Sequence, residues 1–339
     1  MQTFATGKKE LLPGTAARKI FGLIAAEMSL VEAEYERQVR SHIQVVNYLG
    51  DYLRASGGKR VRPALLILAC GACGGATSGK NVISLATVME MLHTATLVHD
   101  DIIDNADLRR NRASVNARFG NQTAVLMGDW LYMSAFETSL QERSLEILDI
   151  LTRLTRKMTE GELIQLTMIG RLDISESDYF DILKRKTAYL FSACAEIGAI
   201  LAGASLERQH ALRDYGMNLG IAFQLADDIL DLTSEAEDLG KAAGTDLLEG
   251  KITLPLIYLL KSEPSLRPKL EDVMLTGTYT QISRDAIRQM LDSAGIIGRI
   301  RERANEFADA ARKNLDVFTE TEYRVALEGI PKFVIDRNS

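Results

Sequence analysis

The chain has 339 residues, 46% of them hydrophobic, which supplies a substantial core and excludes a disordered protein. Its net charge of -6 argues against a general nucleic-acid binder, which carries a basic excess, and leaves open small anionic substrates held by local cations. Three cysteines (Cys70, Cys73 and Cys194) fit a reducing cytoplasm, and Cys70 and Cys73 read better as small packed residues than as half of a zinc site, for which too few further ligands exist.

The N-terminal stretch MQTFATGKKELLPGTAARKIF has no apolar core of the signal-peptide kind, so no signal peptide is expected. No proline occurs between Pro63 and Pro255, which favours helices over a many-turned β fold. Apolar steps of three and four predict helices over about 14–39, 41–56, 60–75, 80–105, 120–140, 142–170, 175–205 and 207–233. Further helices are predicted over about 247–261, 283–295 and 297–317, with a short one near the end. Ser175 and Asp178 form an S-x-x-D start signal, followed by Phe180, Leu183, Thr187, Leu190, Cys194 and Ile197 on one helical stripe. The apolar stretch from Phe191 to Leu206 is 16 residues long and contains Glu196. It is too short and too charged for a membrane span, and reads as a buried core helix. Pro264 and Pro268 read as a loop. The fold class expected is all-α: one helical-bundle domain over 1–339, with its informative motifs in 57–255.

Helix 80–105 is apolar nearly all round, and helix 207–233 is similar from Leu219 onward, so both belong inside a bundle. Each ends in clustered aspartates. HDDIID carries Asp100, Asp101 and Asp104, and QLADDILD carries Gln224, Asp227, Asp228 and Asp231. Residues three and four apart share a helix face, so each helix presents paired carboxylates. Such pairs repel unless a cation lies between them, and hard divalent ions take oxygen ligands shared with substrate phosphates. A solvated acidic helix end explains one such motif; two copies at the ends of apolar helices point to a clamp for Mg²⁺ and a diphosphate.

GGKRVRP places Lys59, Arg60 and Arg62 before a helix, and DLRRNR places Arg109, Arg110 and Arg112 just past Asp104. Arginine and lysine bind phosphate strongly. His93 lies seven residues before Asp100 on the same face, where a phosphate-donor role rivals a structural one. Lys186 and Thr187 form a polar pair in an apolar helix, and GKAAGTDLLEGKITLP adds Lys241 and Lys251 on a glycine-bearing loop suited to closing over phosphates.

With GGKRVRP, LVHDDIIDNADLRRNR, MGDWL, KRKTAYLF, FQLADDILDLTSEAEDLGKAAGTDL and EGKITLP in this order, the chain resembles the trans-isoprenyl (polyprenyl) diphosphate synthase family, most closely its long-chain, octaprenyl-type members. The resemblance covers roughly 40–260 and extends towards the whole chain. It implies an all-α bundle, usually a homodimer; the cysteine content and the apolar segments add the expectation of a cytoplasmic chain without a membrane span. It implies that Asp100, Asp101 and Asp104 bind Mg²⁺ and the allylic diphosphate, with Asp227, Asp228 and Asp231 binding Mg²⁺ on the other wall. By the same carry-over, Lys59, Arg62, His93 and Arg110 hold isopentenyl diphosphate. Arg109, Lys186, Thr187, Gln224, Lys241 and Lys251 contact the allylic diphosphate. In the family the turn before the first motif carries a bulky plug in short-chain enzymes; here it is Ala95 and Thr96. An open tunnel from Ala95 back to Asn81 spans roughly 21 Å, giving a product of about seven or eight isoprene units.

Three other readings compete. A class I terpene cyclase would carry a different second motif and a more aromatic cavity than 6% aromatics supply. A short-chain farnesyl or geranylgeranyl diphosphate synthase differs at the plug. A non-catalytic partner subunit would have lost aspartates or phosphate-binding cations, and none is missing.

Overall fold

The computed structural model describes residues 15–233 and 244–335. Its helices are α1 (Thr15–Leu23), α2 (Ala25–Gln38), α3 (Gln44–Ala55), α4 (Val61–Ala72), α5 (Lys80–Ile103), α6 (Val115–Phe119) and α7 (Asn121–Leu140). They continue with α8 (Leu145–Met168), α9 (Glu176–Leu183), α10 (Tyr189–Leu201), α11 (Leu206–Thr233), α12 (Thr245–Leu248), α13 (Leu254–Ser262), α14 (Arg267–Thr276), α15 (Arg284–Ser293), α16 (Ile296–Lys313) and α17 (Glu322–Ile335). The sheet among the described residues is one antiparallel hairpin, β1 (Leu108–Arg109) and β2 (Arg112–Ala113). The all-α expectation holds.

Several helix starts carry the capping side chains that satisfy their free N–H groups. At α9, Ser175 Oγ accepts from the Asp178 N–H and the Asp178 carboxylate accepts from the Ser175 N–H, completing the capping box that S-x-x-D announces. Ser144, Ser114 and Ser283 cap α8, α6 and α15 through their hydroxyls.

Several predicted boundaries shift, each for a local reason. The helix expected over 14–39 breaks at Ile24. The one expected over 247–261 is two pieces, because Gly250 turns with positive φ between α12 and α13. The Pro264 and Pro268 segment is not a loop: a 3₁₀ turn, Pro264–Leu266, leads into α14. Pro268 sits in the first turn of α14, where proline removes no hydrogen bond, and Leu270 and Val273 bury one face. The helix expected over 175–205 is interrupted by one π turn, Lys184–Ala188.

Two apolar clusters share α11. The first gathers α4, α5, α7, α10 and α17, and in α4 every residue from Pro63 to Ala72 is buried. The second gathers α9, the second half of α11, and α13 to α16. α5 is long and apolar enough to cross a membrane by composition, but 72% of that stretch is buried inside the protein, as in a core helix. α10, which spans most of the apolar stretch Phe191 to Leu206, is likewise buried from Leu190 to Cys194.

α10 and α11 approach closely through glycine. A Cβ on Gly216 would stand 2.5 Å from the Phe191 carbonyl oxygen and 2.7 Å from Ser192 Cα. Neither backbone atom can yield without moving α10. Gly216→Ala is therefore expected to lower stability by about 1–3 kcal/mol, the usual cost of overpacking. Thermal unfolding measures it, and an unchanged midpoint would mean that the two helices separate freely.

Candidate active site

The two aspartate motifs end α5 and occupy the last turns of α11, and the structure brings the cations to them. Lys251, between α12 and α13, donates to Asp104 Oδ1 at 2.8 Å and to Glu249 Oε2 at 2.7 Å. That contact ties the end of α5 to the segment between α12 and α13, across 147 residues of sequence. Burial works against the Lys251 charge, but Asp104 and then Glu249 outweigh it and hold the ammonium above its ordinary pKa.

Lys186 comes from the π turn. A π turn adds one residue to a helix and so rotates the residues after it. Here it is wedged between two glycines: a Cβ on Gly161 of α8 would stand 2.5 Å from Arg185 Cβ, and one on Gly220 of α11 would stand 2.5 Å from Ala188 Cα. Lys186 Nζ reaches Glu162 at 2.6 Å and Gln165 at 2.9 Å on α8. It also faces Asp100. Burial pushes the Asp100 carboxyl up to about 7; Lys186 opposes this, while Glu162 and Asp104 add to it. A carboxylate in such surroundings gains from a further cation.

The remaining aspartates of the two motifs have different partners. Asp101 is buried and turns away from Asp100 to Arg109, whose Nε donates to Asp101 Oδ1 at 2.8 Å. Asp228 is buried and accepts from the Tyr179 hydroxyl at 2.6 Å and from Gln224 Nε2 at 2.9 Å. Gln224 Oε1 in turn accepts from Thr187 at 2.8 Å, so Thr187, Gln224, Asp228 and Tyr179 form one chain linking α11 to α9 and the π turn. Burial, then Asp246, pushes the Asp228 carboxyl well up. Asp231 accepts from the Asp246 N–H at 3.4 Å, while its backbone carbonyl accepts from Gly244 N at 2.7 Å, at the start of α12. Asp227 is half-buried on α11. A cleft of about 160 Å³ opens here, lined by Lys186, Thr187, Gln224, Asp228 and Lys251 and by apolar Met168, Ile174, Ile182 and Ile252.

The second cationic group lies around His93. Burial, then Arg62, Arg110, Arg109 and Arg60 in that order, holds the imidazole well below its usual range, so it is neutral near pH 7. The charges of arginines from both basic motifs thus act on one histidine. Arg62 stacks over the Phe191 ring at 5.1 Å from its centre. Arg110 donates to the Gly57 carbonyl. It sits with Asn111 at positive φ in the two-residue turn joining β1 to β2, which aims the hairpin's arginines at the preceding helix end. Lys59 is exposed on the loop before α4. Ala95 is fully buried on α5, and Thr96 is half-buried with its hydroxyl on the His93 carbonyl at 2.7 Å. Lys241 lies outside the described residues.

Sequence reasoning does not single out Glu162 and Gln165, which hold Lys186, nor Tyr179, which holds Asp228. Glu162 and Gln165 are spaced i,i+3 on α8, but nothing local separates them from its other polar residues. Asp246 and Glu249 lie within the GTDLLEGK stretch, where the sequence alone gives them no role.

Among the described residues no three carboxylate, imidazole or thiol groups converge into a closed metal cage. The donors present are aspartate oxygens in ones and twos beside lysine and arginine side chains. That set fits a hard divalent ion that keeps water and shares substrate phosphates, and does not fit zinc or another thiophilic metal. Cys70 and Cys194 are buried on α4 and α10, and burial pushes the Cys70 and Cys73 thiols up to about 11.

Comparison with known proteins bears on this arrangement. The profile of the family described as Polyprenyl synthetase matches residues 43–291. The chain is similar to the octaprenyl diphosphate synthase of Escherichia coli, with 38% identity over 94% of this chain and 98% of that one. It is also similar to the all-trans-nonaprenyl-diphosphate synthase (geranyl-diphosphate specific) of Rhodobacter capsulatus, with 36% identity over 94% and 97%. Its fold is similar to the crystal structure of a polyprenyl synthase from Caulobacter crescentus complexed with calcium and isoprenyl diphosphate. There the TM-score is 0.90 and the identity 35%, over 96% of this chain and 100% of that one. On both the motif-bearing sequence and the whole fold, this chain belongs to the polyprenyl synthetase family.

Proposed function

We propose that this chain is a trans-polyprenyl diphosphate synthase that adds isopentenyl diphosphate head-to-tail to an allylic diphosphate and makes a long-chain product. The observation that carries the reading is that two separate cationic groups lie along α5, one at its aspartate-bearing end and one around His93. Lys251 bonds Asp104 and the Lys186 charge acts on Asp100, while the charges of Arg62 and Arg110 act on His93 on the same helix. Two anionic substrates, one ionising and one attacking, require two such groups.

In this reading Asp100, Asp104, Asp227 and Asp231 hold Mg²⁺, and Lys186, Thr187, Gln224, Arg109, Lys241 and Lys251 contact the allylic diphosphate. Bound Mg²⁺ supplies charge that stabilises the departing diphosphate. Asp101 and Asp228 act through their partners, by orienting Arg109 and the Gln224–Thr187 pair. Lys59, Arg62, His93 and Arg110 hold isopentenyl diphosphate. Neutral His93 keeps one N–H to donate without adding charge. Cleavage of the allylic C–O bond leaves a carbocation. The isopentenyl double bond attacks it, forming one C–C bond, and a proton leaves to a diphosphate oxygen. The apolar surroundings of α5 keep water from the cation.

The chain is taken as one domain over 1–339, because α11 contributes to both cores. A homodimer in the cytoplasm completes the proposal. α7 exposes Leu126, Met133 and Leu140 seven residues apart, two of them by 68% and 63%, which is an apolar stripe suited to a second copy. Met133→Glu should then halve the mass seen by light scattering, and an unchanged mass would remove α7 from the interface.

The central test is the metal wall. Asp100→Asn and Asp227→Asn should each lower kcat by roughly 10²–10³-fold, the cost of losing one preorganised electrostatic contact. Near-normal turnover of both variants at saturating Mg²⁺ would remove the two-wall reading.

Product length rests on Ala95. Ala95→Phe should shorten the main product from about seven or eight units to about four or fewer, by blocking the path along α5. The first condensation should survive, since Asp100 is more than one turn away. Ala95 is fully buried, so unfolding must be followed alongside. A folded variant with an unchanged product distribution would show that Ala95 packs against a neighbouring helix and not against the growing chain.

A further inference from the structure

Arg60 lies between Lys59 and Arg62 in GGKRVRP, but its side chain turns the other way. Its Nε meets Glu32 Oε1 on α2 at 2.6 Å, and its Nη1 meets Glu90 Oε1 on α5 at 2.8 Å. The guanidinium sits 5.4 Å from the centre of the Tyr35 ring. Only 12% of the Arg60 side chain and 4% of the Glu90 side chain are exposed, so this pair is held out of water. Burial lowers the Arg60 pKa, but Glu90 and then Glu32 outweigh it and keep the charge fixed.

The backbone adapts to this placement. Arg60 has φ 48°, the left-handed region that a non-glycine residue avoids. Its carbonyl still accepts from Ala64 N at 3.2 Å, so it starts α4. A second brace comes from Arg110, which donates to the Gly57 carbonyl. Gly58 passes between the two arginines: a Cβ there would stand 2.9 Å from Arg110 Nη1 and 3.1 Å from Arg60 Nη1. The loop is therefore tied to α5 on one side and to the β1–β2 hairpin on the other. Glu90 lies three residues before His93 on α5, so the anchor and the histidine ride on the same helix turn.

We propose that Arg60 is a positioning residue for isopentenyl diphosphate: its ion triad with Glu90 and Glu32 clamps the GGKRVRP loop onto α5, so that Lys59 and Arg62 are presented beside His93. The inference rests on the assignment of Lys59, Arg62 and His93 to that substrate. Arg60 touches no substrate in this arrangement. It sets the distance between the loop that binds one diphosphate and the helix that ends in Asp100 and Asp104.

The test is steady-state kinetics with each substrate varied in turn, on Arg60→Gln, Glu90→Gln and Arg62→Ala, with thermal unfolding of each. Removing the clamp should raise KM for isopentenyl diphosphate by about tenfold or more, equivalent to a contact of about 1.4 kcal/mol or more. KM for the allylic primer and kcat at saturation of both substrates should change by less than about twofold, since uniform binding of one substrate is what is lost. Arg60→Lys reaches one carboxylate and lacks the fork, so it should recover part of the loss. Should Arg60→Gln or Glu90→Gln not fold, Glu32→Gln removes only the outer, 44% exposed arm and should give a smaller rise for the same substrate. Equal rises in KM for both substrates, or an unchanged KM for isopentenyl diphosphate in folded variants, would overturn the proposal. Arg62→Ala separates the two levels. If it leaves KM for isopentenyl diphosphate unchanged, the site assignment falls and the clamp with it. If it raises that KM while the Arg60 and Glu90 variants do not, the assignment stands and the clamp alone is refuted.

Discussion

Burying a carboxylate costs several kcal/mol unless an opposite charge or a set of hydrogen bonds replaces its lost water. α5 and α11 both end by placing aspartates under that penalty, and the surrounding structure answers it residue by residue. Asp101 is answered by Arg109, Asp228 by Tyr179 and Gln224, Asp104 by Lys251. Asp100 faces the Lys186 charge, and burial still pushes its carboxyl up to about 7. The division has a chemical sense. Asp101 and Asp228 fix the positions of the groups they bond, whereas in the proposed reading Asp100 and Asp104 would meet a divalent ion in addition to their lysines.

That arrangement depends on how closely the helices approach. Lys186 and Thr187 reach the site only because one π turn reorients them within a helix that otherwise runs regularly from Glu176 to Leu201. The turn fits because Gly161 and Gly220 leave no side chain between it and its neighbours. Gly216 and Gly198 continue the same close packing along α10, the latter with a Cβ position 2.9 Å from Ala69 Cβ on α4. Glycine is costly inside a helix, by about 1 kcal/mol relative to alanine, so its use at these four close helix contacts marks a geometry set by packing more than by propensity.

Much of this is legible in the sequence, and the rest is hidden for identifiable reasons. Helical periodicity, the Ser175–Asp178 cap and the two aspartate motifs are local signals of three or four residues, and each appears where the spacing puts it. The π turn is not local: KRKTA has ordinary helical spacing, and only the glycines of two distant helices reveal the insertion. α14 is hidden because proline reads as a breaker, when at a first turn it is a starter. The different fates of Asp100 and Asp101 are hidden too. Neighbours on a helix point about 100° apart, but which one meets Arg109 depends on a hairpin whose turn holds Arg110 and Asn111 at positive φ. Arg60 gives no sign of differing from Lys59 and Arg62, because its partners Glu32 and Glu90 lie 28 and 30 residues away.

The same helix also separates the two tasks a chain-lengthening enzyme faces. Every condensation needs identical charge handling, while the apolar product grows by one unit each time. α5 carries the charged groups at its C-terminal end, from Glu90 through His93 to Asp104, and an unbroken buried stretch from Val82 to Leu92 towards its start. Two polar groups inside that stretch are satisfied within the protein: Thr87 donates to the Ile83 carbonyl at 2.9 Å, and Glu90 is held by Arg60. A growing chain laid along this helix would therefore meet no unpaired polar atom on Thr87 or Glu90 as it lengthens, and the field at the diphosphates would not change from cycle to cycle. Length is then limited by where the apolar path closes and not by the chemistry. On that account a single substitution on α5 can reset the product without altering the rate of the first step, whereas in the proposed reading a change at Lys186 or Lys251 would alter every step alike.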